Sequence, residues 1–186
     1  MRCFVAVPIA GAVRRRIVAL QEELRAADAD VKWVEEENLH LTLKFLGEIG
    51  EEATERLQGL LSAEVSRWPP LGVEYAGTGS FPGGERPRVV WVGVGGDRER
   101  LSALAAAVER AAERTGVPRE GRPFAAHLTI GRVRSPRNVR RLAAALERKT
   151  GEVFGRDEIR EIVLFRSTLT PRGPVYDPLA RFPLGG

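Results

Sequence analysis

The chain of 186 residues has a single cysteine, Cys3, and three lysines. One cysteine excludes an intrachain disulfide, so the chain is neither a disulfide scaffold nor a cysteine-ligated zinc protein. With so few lysines, arginine supplies nearly all the positive charge of a protein whose formal net charge is +4. The planar guanidinium suits phosphate binding, but a biased genomic composition would enrich arginine equally well, so this excess supports a polyanionic ligand only weakly.

Long hydrophobic runs are also absent, and none approaches the length of a membrane span. The apolar segment from Cys3 to Val13 is interrupted by Pro8 and followed directly by three arginines, which argues against a signal peptide. We therefore expect a cytoplasmic protein that does not contact membranes. A chain of this length suffices for one domain with a real core, or for one domain of two lobes.

Histidine occurs twice, and both copies lie in the same four-residue pattern. The segment His40–Leu43 has the sequence HLTL, and the segment His127–Ile130 has the sequence HLTI. Because side chains alternate between the faces of a strand, each His would share a face with the Thr two residues later, above an aliphatic pair in the core. Each His could instead be a structural residue of a half-buried strand, but the repeated setting favours a functional pair.

Hydrophobic periodicity predicts strands and helices in alternation. The motif copies lie 87 residues apart (127 minus 40), close to half the chain, which is typical of a duplicated unit. Irregular spacing and hairpin-like pairs favour an α+β fold with mainly antiparallel sheets. If the two copies are related by an approximate two-fold axis, their polar faces can meet across a groove, and any two lobes need not be the two sequence halves. The predicted strands cover 2–7, 31–34, 40–47, 71–81, 88–94, a segment from 127, 159–169 and 176–182; the predicted helices cover 10–27, 51–68, 97–115 and 135–151. Asp97 is the predicted N-cap of the third helix.

Two histidines that face each other across such a groove can perform acid–base chemistry at phosphorus. One neutral ring can deprotonate the attacking oxygen, while one protonated ring on the opposite side protonates the leaving oxygen. The two threonine hydroxyls can donate hydrogen bonds to the phosphate oxygens, and the scheme needs neither metal nor cofactor. Two His and one Cys are too few ligands for a strong zinc site. The sequence lacks the Gly-x-Ser-x-Gly motif of a Ser-His-Asp hydrolase. Its glycines at 93 and 95 are not followed by the third glycine of a dinucleotide-binding fingerprint.

The paired His-x-Thr-hydrophobic motifs resemble those of the 2H phosphoesterase superfamily. The longer segment His40–Glu48, with the sequence HLTLKFLGE, is similar to the bacterial and archaeal branch of RNA 2′,3′-cyclic phosphodiesterases, once called 2′-5′ RNA ligases. The segments at residues 2–7, 167–169 and 173–176 fit that branch as well. The resemblance implies a single bilobal α+β domain over residues 1–186, with helices packed outside and the active-site groove between the lobes. It also implies hydrolysis of a 2′,3′-cyclic phosphate at an RNA end, leaving a 2′-phosphate.

The resemblance also implies a role for individual residues. His40 would be the proton donor to the 3′ leaving oxygen, and His127 the proton acceptor that activates water. Thr42 and Thr129 match the phosphate-binding positions of the family. The sequence alone does not orient the two histidines, because the motifs are nearly symmetric.

Several positions outside the four motif residues are weaker candidates for substrate binding. Arg132 would lie opposite His127 on a regular strand, so a role in the groove requires a bulge or twist after Gly131. Phe45 and Trp33 are able to stack on a base, but Phe45 shares a face with Leu41 and Leu43, which favours the core. Four further arginines flank the second motif and are able to steer RNA, although each is more typical of a solvated loop: Arg119, Arg122, Arg134 and Arg137.

Other functions remain open from the sequence. The same groove would serve reversible 2′-5′ RNA ligation or the opening of a small cyclic nucleotide. A basic RNA-binding module without catalysis is the alternative from a different class, but it leaves the repeated motif unexplained. We expect a monomer whose partner is RNA with a 2′,3′-cyclic phosphate end.

Overall fold

The computed structural model describes residues 1–185, which form two antiparallel sheets and four α-helices. Two short 3₁₀ turns, Arg25–Ala27 and Glu36–Asn38, join the longer elements. The elements in chain order are β1 (Arg2–Pro8), α1 (Gly11–Leu24), β2 (Val31–Trp33), β3 (His40–Glu48), α2 (Glu51–Val65), β4 (Leu71–Phe81), β5 (Val89–Gly96), α3 (Arg98–Glu113), β6 (His127–Val133), α4 (Val139–Glu147), β7 (Val153–Ile159), β8 (Glu161–Thr170) and β9 (Gly173–Pro183).

The two sheets exchange strands between the halves of the chain. The first sheet has the order β3-β1-β8-β9, and the second has the order β2-β6-β5-β4-β7. Strands β2 and β4 therefore leave the first half to join the second sheet, where β2 pairs with β6, and β8 and β9 leave the second half to complete the first sheet. All the described strand pairs are antiparallel, which confirms the α+β prediction.

The main hydrophobic core draws on both sheets and on the apolar faces of the helices. Strand β1 lies inside the first sheet and is buried on both faces. Val5 and Val7 enter the main core, whereas Phe4 and Ala6 pack in a smaller cluster on the other face. Helix α1 buries the stripe that its spacing predicts, with Val13, Ile17, Leu20 and Leu24. In residues 1–185, no helix combines the length and the apolar character needed to cross a membrane.

Three local predictions are wrong. Strand β7 was not predicted, because its charged residues alternate at an exposed sheet edge and mask the apolar signal. The helix expected to begin at Ser135 begins at Val139, since Asn138 adopts a left-handed conformation and its side chain donates to the carbonyl of Asp28. Asp97 precedes α3 but does not cap it, because its carboxylate accepts from the backbone N–H of Gly72 instead.

Candidate active site

The two motif strands contact each other although they belong to different sheets. Strand β3 is an edge strand of the first sheet, and β6 pairs with β5 in the second. Both motifs show the predicted alternation of faces. Their aliphatic residues are buried, whereas both histidines and both threonines are half-buried on the opposite face: His40, Thr42, His127 and Thr129.

Each imidazole is held by the same hydrogen bond. Nδ1 of His40 lies 2.8 Å from the carbonyl oxygen of Asn38, and Nδ1 of His127 lies 2.7 Å from that of Ala125. A carbonyl oxygen only accepts, so Nδ1 carries the proton in both rings. The neutral rings therefore leave Nε2 free as an acceptor, and protonated rings would donate from Nε2.

The surroundings of His40 are aromatic. Its ring centroid lies 4.6 Å from that of Phe165 and 5.6 Å from that of Tyr176. Burial lowers the pKa of His40 to about 4, with a smaller opposing effect of the Asn38 hydrogen bond and a further lowering by the charge of Arg14. The side-chain amide of Asn38 also donates to the carbonyl oxygen of Pro174, 2.9 Å away, and so ties β9 to the first motif.

His127 also has aromatic neighbours, but they come from β4 and β5 of the second sheet. The ring of Phe81 packs edge-on against this imidazole, with centroids 5.0 Å apart. The ring of Phe81 also packs against that of Trp91, with centroids 5.4 Å apart. Phe81 remains 42% exposed. Sequence reasoning missed Phe81, Trp91, Phe165 and Tyr176, because nothing in their local sequence separates a wall of the site from a core aromatic.

A β-bulge follows each Thr and changes which residues face the histidines. Thr42 pairs with Ala6 but Lys44 pairs with Val5, so Leu43 is the extra residue in β3. Likewise Thr129 pairs with Trp91 but Gly131 pairs with Val90, so Ile130 is the extra residue in β6. An extra residue reverses the alternation of the residues that directly follow it.

Phe45 and Arg132 come to equivalent positions after these bulges, each five residues beyond its histidine. Phe45 is 63% exposed and lies on the face of His40, so the expectation that it shares the core face of Leu41 and Leu43 is wrong. Arg132 is exposed on the face of His127, because the bulge at Ile130 supplies the irregularity that this placement requires.

The two histidine faces belong to β3 and β6, strands of different sheets that contact each other. Burial raises the pKa of the Tyr176 hydroxyl, while the charges of Arg132 and Arg2 lower it. Tyr176 belongs to the first sheet and Arg132 to the second, so the charge of Arg132 reaches across from one face to the other. We refer to these two faces together as the groove; they carry His40, Thr42, Phe45 and Tyr176 on the first sheet and His127, Thr129, Arg132 and Phe81 on the second.

Most of the other candidates lie outside the groove or are neutralised. Trp33 is buried in the core. Arg119, Arg134 and Arg137 pair with Glu113, Asp30 and Asp28, and Arg122 is exposed in the loop before β6. Across residues 1–185, no three His, Cys, Asp or Glu side chains lie close enough together to hold a metal ion.

Comparisons with known proteins agree with the duplicated architecture. The sequence model of the family described as LigT like Phosphoesterase matches the chain twice, over residues 7–91 and 92–176. An RNA 2′,3′-cyclic phosphodiesterase of Archaeoglobus fulgidus is 41% identical over 182 residues, covering 98% of this chain and 99% of the relative. One of Aquifex aeolicus is 42% identical over 159 residues, covering 83% of this chain and 82% of the relative.

Solved structures match over the whole chain. The crystal structure of the Thermus thermophilus protein TT0787 has a TM-score of 0.84 at 30% identity and covers 100% of this chain and 99% of its own. The crystal structure of Escherichia coli LigT complexed with 3′-AMP has a TM-score of 0.79 at 27% identity, with coverage of 100% and 98%.

Proposed function

The chain belongs to the LigT-like phosphoesterases of the 2H superfamily, and from this membership we propose that it hydrolyses 2′,3′-cyclic phosphates at RNA ends to 2′-phosphates. Relatives that carry the name RNA 2′,3′-cyclic phosphodiesterase support the substrate class. One copy of the chain contains both histidines, so the proposed activity requires no more than a monomer. A cytoplasmic enzyme acting on RNA is consistent with this reaction.

The observation that carries the proposal is the matched setting of the two imidazoles. Each Nδ1–H donates to the carbonyl two residues earlier, so each Nε2 is available for proton transfer. Each ring also has a threonine hydroxyl two residues later on the same face. A structural histidine needs one satisfied hydrogen bond, but it does not need this whole arrangement twice on strands that touch.

The proposed reaction is an in-line displacement at phosphorus. His127 accepts a proton at Nε2 from the attacking water as the new P–O bond forms. The bond from phosphorus to O3′ breaks on the opposite side, and His40 donates its Nε2 proton to that oxygen. The products are a 2′-phosphate and a free 3′-hydroxyl, and proton exchange with solvent restores both rings.

His40 is neutral at pH 7 in the empty groove, because burial lowers its pKa to about 4. A proton donor must be protonated before the reaction, and the charge of the substrate favours this protonation. The cyclic phosphate is an anion, and a negative charge within hydrogen-bonding distance of Nε2 raises the pKa of an imidazole. We therefore propose that His40 takes up its proton when the substrate binds.

Four further side chains bind the substrate in this proposal. The hydroxyls of Thr42 and Thr129 donate to the non-bridging oxygens of the phosphate, where charge increases in the transition state. The guanidinium of Arg132 adds a positive charge on the His127 side. The exposed ring of Phe45 offers a face on which the terminal base stacks.

The activity is tested by incubating the protein with an oligonucleotide that ends in a 2′,3′-cyclic phosphate, in the presence of EDTA. We expect a 2′-phosphate product, and we expect His40→Ala or His127→Ala to lower the rate by about 10²- to 10⁴-fold. A 3′-phosphate product would reverse the assignment of the leaving oxygen. Absence of product with and without added divalent metal would reject the enzyme class, and activity that requires the metal would reject the metal-independent mechanism.

The two histidine roles are separated by a substrate whose 3′-bridging oxygen is replaced by sulfur. A thiolate leaves without protonation, so the reaction no longer needs a proton donor. His40→Ala should therefore regain most of its lost rate on this substrate, whereas His127→Ala should not. The opposite pattern would exchange the roles of donor and acceptor.

A further inference from the structure

Lys44 is a charged side chain inside the protein. It follows the bulge at Leu43, which turns it from the groove side into the interior, where it is 5% exposed. Its Nζ lies 3.0 Å from Oε1 of Glu109 on α3 and 3.0 Å from the carbonyl oxygen of Pro118. The same Oε1 accepts from the backbone N–H of Glu120 at 2.7 Å.

This network holds the loop that leads into the second motif. Helix α3 ends at Glu113 and β6 begins at His127, so the chain between them has no regular structure of its own. Within the described part of the chain, backbone atoms of residues 118–124 make two hydrogen bonds, and both are with Lys44 or Glu109. Phe124 adds partial burial against the core near the end of the loop.

We propose that Lys44 is a positioning residue that places His127 relative to His40. Lys44 is on the strand that carries His40, and through Glu109 it holds the loop that delivers His127. This inference rests on the proposed function, because it concerns the geometry of the same two histidines.

The anchor occurs in one motif only. The position that matches Lys44 in the second motif is Gly131, where an added Cβ would lie 2.8 Å from Cγ1 of Val31 and 2.9 Å from Cε3 of Trp33. A lysine has no room there, because β2 packs against that face. The link therefore runs in one direction, from the first motif strand to the loop before the second.

Two variants separate positioning from stability. In Lys44→Met with Glu109→Leu, an apolar pair replaces the ion pair, so stability should stay near that of the parent while the loop loses both hydrogen bonds. In Glu109→Gln, the amide oxygen still accepts from Lys44 and from Glu120, so the loop stays held while the buried lysine loses its counter-charge.

We expect the two variants to show opposite behaviour at a temperature where both are folded. The double variant should melt near the parent Tm, but its kcat on the cyclic-phosphate oligonucleotide should fall about 10- to 100-fold with little change in KM. Glu109→Gln should melt lower and keep its kcat. If kcat instead follows Tm in both variants, the network is merely structural and the proposal is overturned.

Hydrogen exchange tests the inference without any assay of activity. Amides of residues 118–126 should exchange faster in the double variant than in the parent, while those of β1 and β8 should not. Unchanged exchange in 118–126 would overturn the proposal. If residues 118–126 exchange faster in the double variant but the parent protein shows no activity on any cyclic phosphate, the proposed function is rejected. The anchoring of the loop by Lys44 and Glu109 would still stand.

Lys149→Met is the matched control. Lys149 is also held by two oxygen acceptors, in its case two carboxylates, with Nζ 2.5 Å from Glu23 and 3.0 Å from Glu152, but it lies after α4 rather than on a motif strand. Its loss should leave kcat and the exchange of residues 118–126 unchanged. A decrease in kcat equal to that of the double variant would mean that loss of any such lysine perturbs the groove, and would overturn the specific role of Lys44.

Discussion

The two imidazoles share a hydrogen-bond pattern but differ in what holds the accepting carbonyl. Asn38 stands before His40, and its side chain is tied to Pro174. Ala125 occupies the matching place before His127 and has no side-chain hydrogen bond to offer. The tie brings Tyr176 and the start of β9 onto His40, and burial lowers the pKa of this ring. The asymmetry of two nearly identical motifs therefore begins at one residue outside both.

The first prediction concerns the titration of His40. NMR of the free protein should give a pKa of about 4 for this ring, and addition of inorganic phosphate should raise it, because the anion favours the protonated form. Tyr176→Ala should also raise the pKa towards the ordinary value of about 6.5, because water regains access to the ring. The chain has two histidines, so His127→Gln assigns the signals. A value near 6.5 in the unmodified free protein would contradict the burial on which the loading of His40 depends.

The second prediction concerns the threonine hydroxyls. Thr42→Val and Thr129→Val keep the shape of the side chain and remove the donor, so kcat should fall about 10²-fold in each. Thr42→Ser and Thr129→Ser should retain most of the rate because they keep the hydroxyl. Thr150→Val removes a hydroxyl that bonds to Glu147 outside the groove and serves as the control. Equal rates for the Val and Ser variants would exclude a hydrogen-bonding role.

At the scale of the element, the bulges decide which side chains line the groove. Leu43 and Ile130 occupy the same place in their motifs, and each turns the residue two positions later onto the histidine face. The bulge in β3 also sends Lys44 inward, so that one irregularity exposes Phe45 and buries its neighbour. Equivalent bulges in both strands preserve the internal symmetry that the two family matches indicate.

Sequence alternation predicted the faces of the four motif residues correctly but failed beyond the bulges. A bulge is an extra residue relative to a neighbouring strand, so it depends on pairing partners that lie far away in the sequence. Phe45 was therefore expected on the core side, and Arg132 depended on an irregularity that nothing local revealed. Strand β7 was not predicted for a related reason, since an edge strand with charged residues gives a weak pattern of alternating hydrophobicity.

The third prediction tests the packing behind the second bulge. Gly131→Ala would place a Cβ within 3 Å of Val31 and Trp33, both of which are buried, so we expect a loss of about 1–3 kcal/mol in the free energy of unfolding. The displaced backbone should also move Arg132 and raise KM for the cyclic-phosphate oligonucleotide. Urea denaturation and steady-state kinetics measure the two effects. Gly121→Ala is the control, because its Cβ meets nothing within 4 Å, and its stability should change by less than about 0.5 kcal/mol.

At the scale of the molecule, the duplication seen in sequence does not coincide with the sheets. The family matches divide near residue 91, yet β2 and β4 lie in the second sheet, and β8 and β9 lie in the first. The main core includes side chains from both sheets. Each half of the sequence therefore lacks strands of the sheet that contains its own motif strand, and we propose that the chain unfolds as one cooperative domain.

The fourth prediction follows from this exchange of strands. Fragment 1–84 leaves β1 without its partner β8 and β2 without its partner β6, so each exposes a strand edge and the apolar face beneath it. Neither fragment 1–84 nor fragment 85–186 should show a cooperative thermal transition by circular dichroism. An equimolar mixture should recover such a transition together with phosphodiesterase activity, because each fragment supplies one histidine and the strands that the other lacks. A sigmoidal transition in either fragment alone would establish two independent folding units and remove the reason to treat the groove as the product of a single fold.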